Sequence, residues 1–226
     1  MSDSGATPHR WIRYGDRGLL LELPDTDAVL SAVAALPAPG GREETCLEDH
    51  VPGARTLLLI ARPGRNPEEL RRLLDPSALR PLGSGPGAAS EGEAPAGAAV
   101  IRVPVRYDGP DLSDVARATG LGEAEVVAAH TGTDWRVAFG GFAPGFAYLV
   151  GGDPRLAVPR RAEPRTRVPA GAVGLADRFS GIYPRSSPGG WQLIGRTSVV
   201  LWDLDRDPPA LLRTGSVVRF EAEDGQ

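Results

Sequence analysis

The chain has 226 residues, a net charge of −4 and a hydrophobic fraction of 41%. Such a chain can form a hydrophobic core for one large or two small domains, and its acidic balance gives no general attraction to nucleic acid or to anionic membranes. All 25 basic residues are arginine. The chain therefore cannot supply a Walker A lysine, a lysine Schiff base with pyridoxal phosphate (PLP) or a biotinylated lysine, so we expect no PLP and no biotin in it.

The cysteine content and the amino-terminal residues indicate a compartment. Cys46 is the only cysteine, so no intrachain disulfide can form. Residues 1–4 have neither the charged nor the apolar region of a signal peptide, and no apolar run is long enough to cross a bilayer. We therefore expect a cytoplasmic protein with no membrane role.

Residues 9–82 alternate between strand-like and helix-like segments. Residues 18–23 and 56–61 are apolar runs typical of buried strands. Residues 28–36 place their apolar side chains on one helical face, and a second helix is predicted after Asn66, which can accept hydrogen bonds from the first helical amides. This alternation predicts a small two-layer α+β amino-terminal domain.

A flexible linker is predicted at residues 83–97, where Gly, Ala, Ser, Pro and Glu dominate and cannot bury enough apolar surface to offset the entropy of ordering. A strand at residues 99–105 follows, and then two short helices at residues 111–119 and 123–130. Asp111 is the expected N-cap of the first of these helices.

Helical periodicity ends before Trp135. Beyond it, short apolar runs alternate with turns rich in Gly and Pro, a pattern typical of small β-barrels. We therefore predict a mostly β, barrel-like carboxy-terminal domain over residues 98–222. Its expected strands include residues 135–139, 191–194, 198–204 and 216–220.

The segment 140–148, GGFAPGFAY, contains three glycines and three aromatic residues. Its glycines allow backbone N–H groups to approach an anion or a planar amide closely. A tight β-turn with core aromatics is the alternative, and composition alone favours that alternative.

Four arginines, Arg160, Arg161, Arg165 and Arg167, lie on a segment stiffened by prolines. A guanidinium group presents a planar set of donors that matches a carboxylate or a phosphate, and a stiff backbone loses little entropy on binding. A solvated charged edge that prevents strand addition explains the alternate spacing equally well. The sequence leaves both interpretations open.

His130 ends a predicted helix, where it is either an acid–base group or a C-terminal cap that interacts with the helix dipole. Trp191, Gln192 and Arg196 can offer an indole, an amide and a guanidinium group to one pocket, unless Trp191 is a core residue. The chain has no HExxH motif, no cluster of Cys and His, and no GxSxG motif. We therefore predict no zinc or other metal site and no serine hydrolase.

The order of the motifs is more specific than any one of them. They are GF-x-PGF-x-YL at residues 141–149, PR at 159–160, PRTRVPAG at 164–171, GIYP at 181–184, SPGGWQ-x-IGRT at 187–197 and PP-x-LL-x-x-G at 208–215. In this order they resemble the family of 5-oxoprolinase B subunits, also called allophanate hydrolase subunit 1 or the kinase A inhibitor family. The resemblance is close over residues 99–220 and concerns only the layout of residues 9–82.

The resemblance implies an α+β chain whose carboxy-terminal domain is a cyclophilin-like β-barrel. It implies an enzyme subunit, inactive alone, that works with the A and C subunits in a hetero-oligomer to open 5-oxoproline to L-glutamate. ATP with Mg²⁺ would act at the level of the assembled complex, because this chain has no Walker motif. The alternatives are inhibition of a sensor histidine kinase and a role in an allophanate hydrolase or urea carboxylase system.

The resemblance also implies a substrate site. Its wall would consist of Gly141, Pro144, Gly145 and Phe146. The arginines that hold a carboxylate or a phosphate would be Arg160, Arg165 and Arg167. Further substrate contacts would come from Tyr148, Tyr183, Trp191 and Gln192. The candidate catalytic residues are His130, Arg165 and Arg196, because phosphorylation of a lactam oxygen needs groups that stabilise anions rather than a strong nucleophile.

Overall fold

The computed structural model describes residues 9–37, 46–74 and 100–223, and these form two compact units. The first unit is built from residues 9–37 and 46–74, and the second from residues 100–223. The linker predicted at residues 83–97 lies outside the described residues, so the predicted domain boundaries stay predictions.

The first unit is a four-stranded antiparallel sheet with one α-helix and one 3₁₀ helix. Its elements are β1 (Arg10–Tyr14), β2 (Gly18–Glu22), α1 (Thr26–Ala35), β3 (Leu47–Pro52), β4 (Thr56–Ala61) and the 3₁₀ helix Pro67–Leu73. The strand order is β1-β2-β4-β3. Alternate residues of β2 and β4 point into a core that α1 and the 3₁₀ helix also enter, because strand side chains alternate between the two faces. The two-layer α+β prediction is confirmed.

Each helix of the first unit begins at a residue whose side chain caps it. Asp25 caps α1, since its Oδ1 accepts a hydrogen bond of 2.8 Å from the Ala28 amide. Asn66 caps the second helix in the same way, because its Oδ1 accepts from the Glu68 amide at 3.1 Å. This second helix is 3₁₀ rather than α-helical over Pro67–Leu73.

The second unit carries the remaining elements. They are β5 (Val100–Val105), α2 (Leu112–Thr119), α3 (Glu123–Thr131), β6 (Trp135–Gly140), β7 (Ala147–Val150), the 3₁₀ helix Pro154–Leu156, β8 (Arg165–Val168), β9 (Ala172–Ala176), β10 (Phe179–Ile182), β11 (Ser187–Gly189), β12 (Gln192–Arg196) and β13 (Val217–Ala222). The predicted strands at 99–105, 135–139, 191–194 and 216–220 and both predicted helices are confirmed within one or two residues.

Seven of these strands form one sheet in the order β12-β9-β10-β7-β6-β13-β5, and β8 pairs with β11 in a separate ribbon. Only β13 and β5 run parallel within the seven-stranded sheet. Its two edges meet where Arg106 and Arg196 exchange backbone hydrogen bonds, both of 2.9 Å. The sheet is therefore a nearly closed barrel, and the predicted barrel-like second domain is confirmed.

The barrel core is continuous with the inner faces of α2 and α3. Val115 of α2 and Val126 of α3 belong to the same buried cluster as Leu149, Leu175 and Phe220 of the sheet. These helices are 8 and 9 residues long. Among the residues that the structure describes, no helix has the length and apolar character needed to span a membrane.

The strand predicted at residues 198–204 is wrong. This segment is irregular, and with the described residues it makes one isolated bridge, between Trp202 and Ala210. Val200, Trp202 and Leu204 are exposed, whereas Leu201 is buried. The alternation of side chains is present, but a strand also needs a neighbour along its length, and the segment has only that one bridge.

Candidate functional site

A pocket lined by aromatic side chains, here called the aromatic pocket, lies in the second unit. Its lining residues are Phe142, Phe146, Tyr148, Arg160, Tyr183, Gly189, Gly190 and Trp191, and its volume is about 80 Å³. Phe146 is buried among the other rings: its centroid lies 5.1 Å from that of Tyr148, 5.5 Å from Tyr183 and 5.4 Å from Trp191, all edge-to-face. Five predicted site residues therefore meet in one place.

Two glycines let the rings pack directly onto the backbone. A Cβ at Gly181 of β10 would lie 2.9 Å from Cζ3 of Trp191 and 3.0 Å from Cζ of Phe146. A Cβ at Gly189 would lie 2.4 Å from the Tyr183 hydroxyl. A side chain at either position would displace an aromatic ring, so these glycines set the shape of the pocket.

The turn between β6 and β7 forms one rim of the pocket. Gly145 has a φ of 84° and Phe142 a φ of 68°, and both lie in the left-handed region. Backbone hydrogen bonds close the turn around Pro144: the Ala143 amide donates to the Gly141 carbonyl, and the Phe146 amide donates to that of Ala143. Phe142 is 59% exposed, whereas Phe146 is buried. The segment is therefore a tight turn with a core aromatic, as the alternative predicted, and it also borders a pocket.

The four arginines of the predicted anion site have different surroundings. Arg160 lines the aromatic pocket. Arg161 and Arg165 form ion pairs with a single carboxylate oxygen, Oδ1 of Asp111, at 2.8 Å and 2.7 Å. Arg167 is exposed, and its Nε donates to Ser186 Oγ at 3.2 Å. The structure therefore brings only Arg160 to the pocket wall.

Asp111 is a central residue of this region that sequence reasoning assigned only as a helix cap. Its carboxylate is buried, makes no side-chain cap for α2, and accepts from the Leu193 amide at 2.7 Å through Oδ2. Arg165 keeps one buried nitrogen, Nη1, that has no hydrogen-bond partner among the described residues. No sequence motif marked Asp111, because its partners lie 50 or more positions away.

Tyr183 presents a protonated hydroxyl beside the pocket. Burial raises the pKa of Tyr183, and a hydrogen bond from the Trp191 backbone and the charges of Arg160 and Arg165 oppose this shift. At neutral pH the tyrosine is neutral and can donate a hydrogen bond.

Gln192 and Arg196 are the first and last residues of β12, which begins directly after the pocket residue Trp191. Gln192 donates from Nε2 to the Pro159 carbonyl at 3.1 Å, and its Oε1 is buried without a partner among the described residues. Arg196 does not line the aromatic pocket. It borders a second cavity of about 230 Å³, where its Nη2 lies 2.8 Å from Oδ2 of Asp108.

His130 lies in the core of the barrel unit and is fully buried. Its Nδ1 lies 2.7 Å from the Tyr107 hydroxyl and its Nε2 lies 2.8 Å from Ser180 Oγ. Its ring stacks on Phe220 with a centroid distance of 4.2 Å. Burial lowers the pKa of His130 to about 3, so the imidazole is neutral. The structure thus separates His130 from the aromatic pocket and gives it no exposed atom for substrate.

The described parts of the chain contain no candidate metal site. Within residues 9–37, 46–74 and 100–223, no three side chains of His, Cys, Asp or Glu lie together in a way that could hold an ion.

Comparison with known proteins identifies the family. The family model described as "Carboxyltransferase domain, subdomain C and D" matches residues 9–212. The chain belongs to this family. The 5-oxoprolinase B subunit of Escherichia coli O157:H7 is 52% identical over 123 residues, and that of Bacillus subtilis (strain 168) is 46% identical over 124 residues. These matches cover 53% and 54% of this chain. They confirm the resemblance to the 5-oxoprolinase B subunits.

The matched part spans about half of each of these relatives, 56% and 52% of their lengths respectively. Among solved structures, TTHA0988 is similar with a TM-score of 0.71 and 37% identity, over 93% of this chain and 40% of that chain. The urea carboxylase of Kluyveromyces lactis has a TM-score of 0.63 at 17% identity, over 96% of this chain and 22% of that chain. This second likeness concerns the fold alone.

Proposed function

We propose that the chain is the B subunit of an ATP-dependent 5-oxoprolinase and that the aromatic pocket binds the 5-oxoproline. The observation that carries this proposal is the coincidence of two facts. Relatives named as 5-oxoprolinase B subunits match about half of the chain, and five of the predicted site residues line one pocket.

The pocket offers the groups that this ligand needs. 5-Oxoproline is a small, flat lactam that carries one carboxylate. Arg160 can bind the carboxylate, because guanidinium and carboxylate form strong charge-assisted hydrogen bonds. Phe146 and Trp191 provide apolar faces for the ring, and the Tyr183 hydroxyl can donate to the lactam oxygen.

The reaction divides between this chain and its partners. A lactam carbonyl is a poor electrophile, and transfer of a phosphoryl group from ATP to its oxygen creates a leaving group. Water can then add to this ring carbon, and the carbon–nitrogen bond breaks with the nitrogen leaving as the amine, which gives γ-glutamyl phosphate. A second water hydrolyses this acyl phosphate to glutamate and inorganic phosphate. The chain has no lysine and cannot supply a Walker-type phosphate-binding lysine, so we assign the nucleotide site to a partner subunit or to the interface with it.

We propose separate roles for the remaining candidates. Arg196 is exposed beside the second cavity, where it is accessible to a phosphate or to a partner subunit. Arg165 pairs with Asp111, and its Nη1 has no hydrogen-bond partner among the described residues. His130 supports the barrel core, because its two ring nitrogens are occupied by Tyr107 and Ser180.

The test is reconstitution with the A and C subunits, followed by glutamate release that depends on ATP and 5-oxoproline. We expect release to require this chain and Arg160→Met to reduce it at least 10-fold, while Arg167→Met leaves it within about twofold. Equal loss in both variants, or no dependence on this chain, would contradict the proposal. Inhibition of a sensor histidine kinase without turnover would favour the alternative function.

A further inference from the structure

We infer that Asp111 is a positioning residue of the aromatic pocket: through Arg161 it fixes the backbone segment that carries Arg160 to the pocket wall. The inference deepens the proposed function and rests on it, since it concerns how the proposed carboxylate ligand is held. It also makes a claim about the protein without ligand, which can be tested separately.

The Asp111 carboxylate has a fixed place because its residue is paired twice with β12. The Asp111 amide donates to the Leu193 carbonyl at 2.9 Å, and the Leu193 amide donates to Asp111 Oδ2 at 2.7 Å. The carboxylate is buried, so water does not compete for these bonds. Oδ1 is thereby held at a constant position relative to the barrel wall.

Arg161 links the Asp111 carboxylate to the backbone next to Arg160. Its Nη1 donates to Asp111 Oδ1 at 2.8 Å, and its backbone amide donates to the Gly190 carbonyl at 2.8 Å. On the other side of Arg160, the Pro159 carbonyl accepts from Gln192 Nε2 at 3.1 Å. The backbone of Arg160 is therefore anchored at both adjacent residues.

The charges around this anchor favour an anionic ligand. Asp111 is one carboxylate between two guanidinium groups, so among the described residues Arg161 and Arg165 together keep one uncompensated positive charge. Within the described parts of the chain, Arg165 Nη1 is buried without a partner, and no acceptor pairs with the Arg160 guanidinium that lines the pocket. A ligand carboxylate at Arg160 would neutralise positive charge that these arginines retain.

The test measures backbone order and ligand affinity in the full chain. We expect the ¹⁵N order parameter of the Arg160 amide to fall from about 0.85 to below about 0.6 in Asp111→Asn, because the anchor through Arg161 is weakened. We expect 5-oxoproline to bind about 10-fold more weakly to Asp111→Asn than to the wild type. In an Arg160→Met background the same substitution should change affinity by less than about twofold, since Asp111 acts through Arg160.

Two further variants keep the test decisive. Asp114→Asn removes an exposed Asp–Arg pair on α2, the helix that follows Asp111. It should change neither the order parameter of the Arg160 amide nor the affinity for 5-oxoproline. Arg161→Met removes the same anchor from the partner side and should reproduce the loss of order if Asp111→Asn does not fold.

Two results would overturn the inference: unchanged Arg160 order in both anchor variants, or an equal loss of affinity with and without the Arg160 side chain. Absence of 5-oxoproline binding to the wild type would count against the proposed function, and the order parameter would still decide the positioning role.

Discussion

The buried neutral His130 makes the stability of the barrel unit depend on pH. Its pKa is about 3 in the folded chain, against an ordinary value of 6.5 that applies when the chain unfolds. The unfolded state therefore binds a proton as pH falls through 6.5, whereas the folded state does not until about pH 3. Above pH 6.5 protonation of His130 therefore costs the folded state nothing. As the pH falls from 6.5 to 3, the free energy of unfolding decreases progressively.

The size of the effect follows from this difference. Between about pH 7.5 and pH 5 the free energy of unfolding should fall by about 2 kcal/mol, because each unit below the unfolded pKa of 6.5 costs about 1.4 kcal/mol. Carboxylates contribute little in this window, since their ordinary pKa values lie near 4. The measurement is urea unfolding followed by tryptophan fluorescence in a Trp11→Phe background, where the other three tryptophans lie in the barrel unit.

His130→Gln removes the titrating group and should remove about 2 kcal/mol of this pH dependence, although it also destabilises the protein at every pH through lost packing. His50→Gln is the control. Burial lowers the pKa of His50 too, but His50 lies in the other unit. An unchanged pH dependence in His130→Gln would refute the reasoning.

Two further predictions concern the pocket. Arg160→Gln should weaken 5-oxoproline binding about 10- to 150-fold in calorimetry, because a hydrogen bond to a charged group contributes about 1.5–3 kcal/mol. Arg167→Gln should stay within about twofold. Gly181→Ala should cost about 1–3 kcal/mol of unfolding free energy and shift the fluorescence of Trp191, because its Cβ would lie 2.9 Å from that ring. Gly120→Ala, at a φ of 73° in open space, should cost about 1 kcal/mol from backbone strain and leave that fluorescence unchanged.

Sequence patterns predict the helices and strands that are specified by residues close together in the chain. β4 is predicted because a run of apolar residues marks a buried strand, and α1 because its apolar residues share one face. The sequence patterns do not reveal β1 and β3. They are the edge strands of the first sheet and carry many exposed residues, so their composition resembles that of loops.

The features that sequence reasoning missed depend on distant contacts. Asp111 has the residue type and the place of an N-cap, but a buried carboxylate binds whichever donors the fold supplies, here the Leu193 amide and two arginines. His130 has the residue type of an acid–base group, but tertiary packing, including the stacked ring of Phe220, buries it completely. The pocket rings could be predicted because the family motifs contain them.

The central claim is that the aromatic pocket recognises a lactam by its carboxylate and its ring together. The most direct measurement is a titration of the ¹⁵N-labelled chain with 5-oxoproline, compared with 2-pyrrolidinone, which is the same lactam without the carboxylate. We expect 5-oxoproline to shift the indole N–H of Trp191 in a saturable manner, and the wild type to bind it at least 10-fold more tightly than 2-pyrrolidinone. Equal binding of both compounds, or shifts confined to residues around Arg196 in the second cavity, would contradict the account.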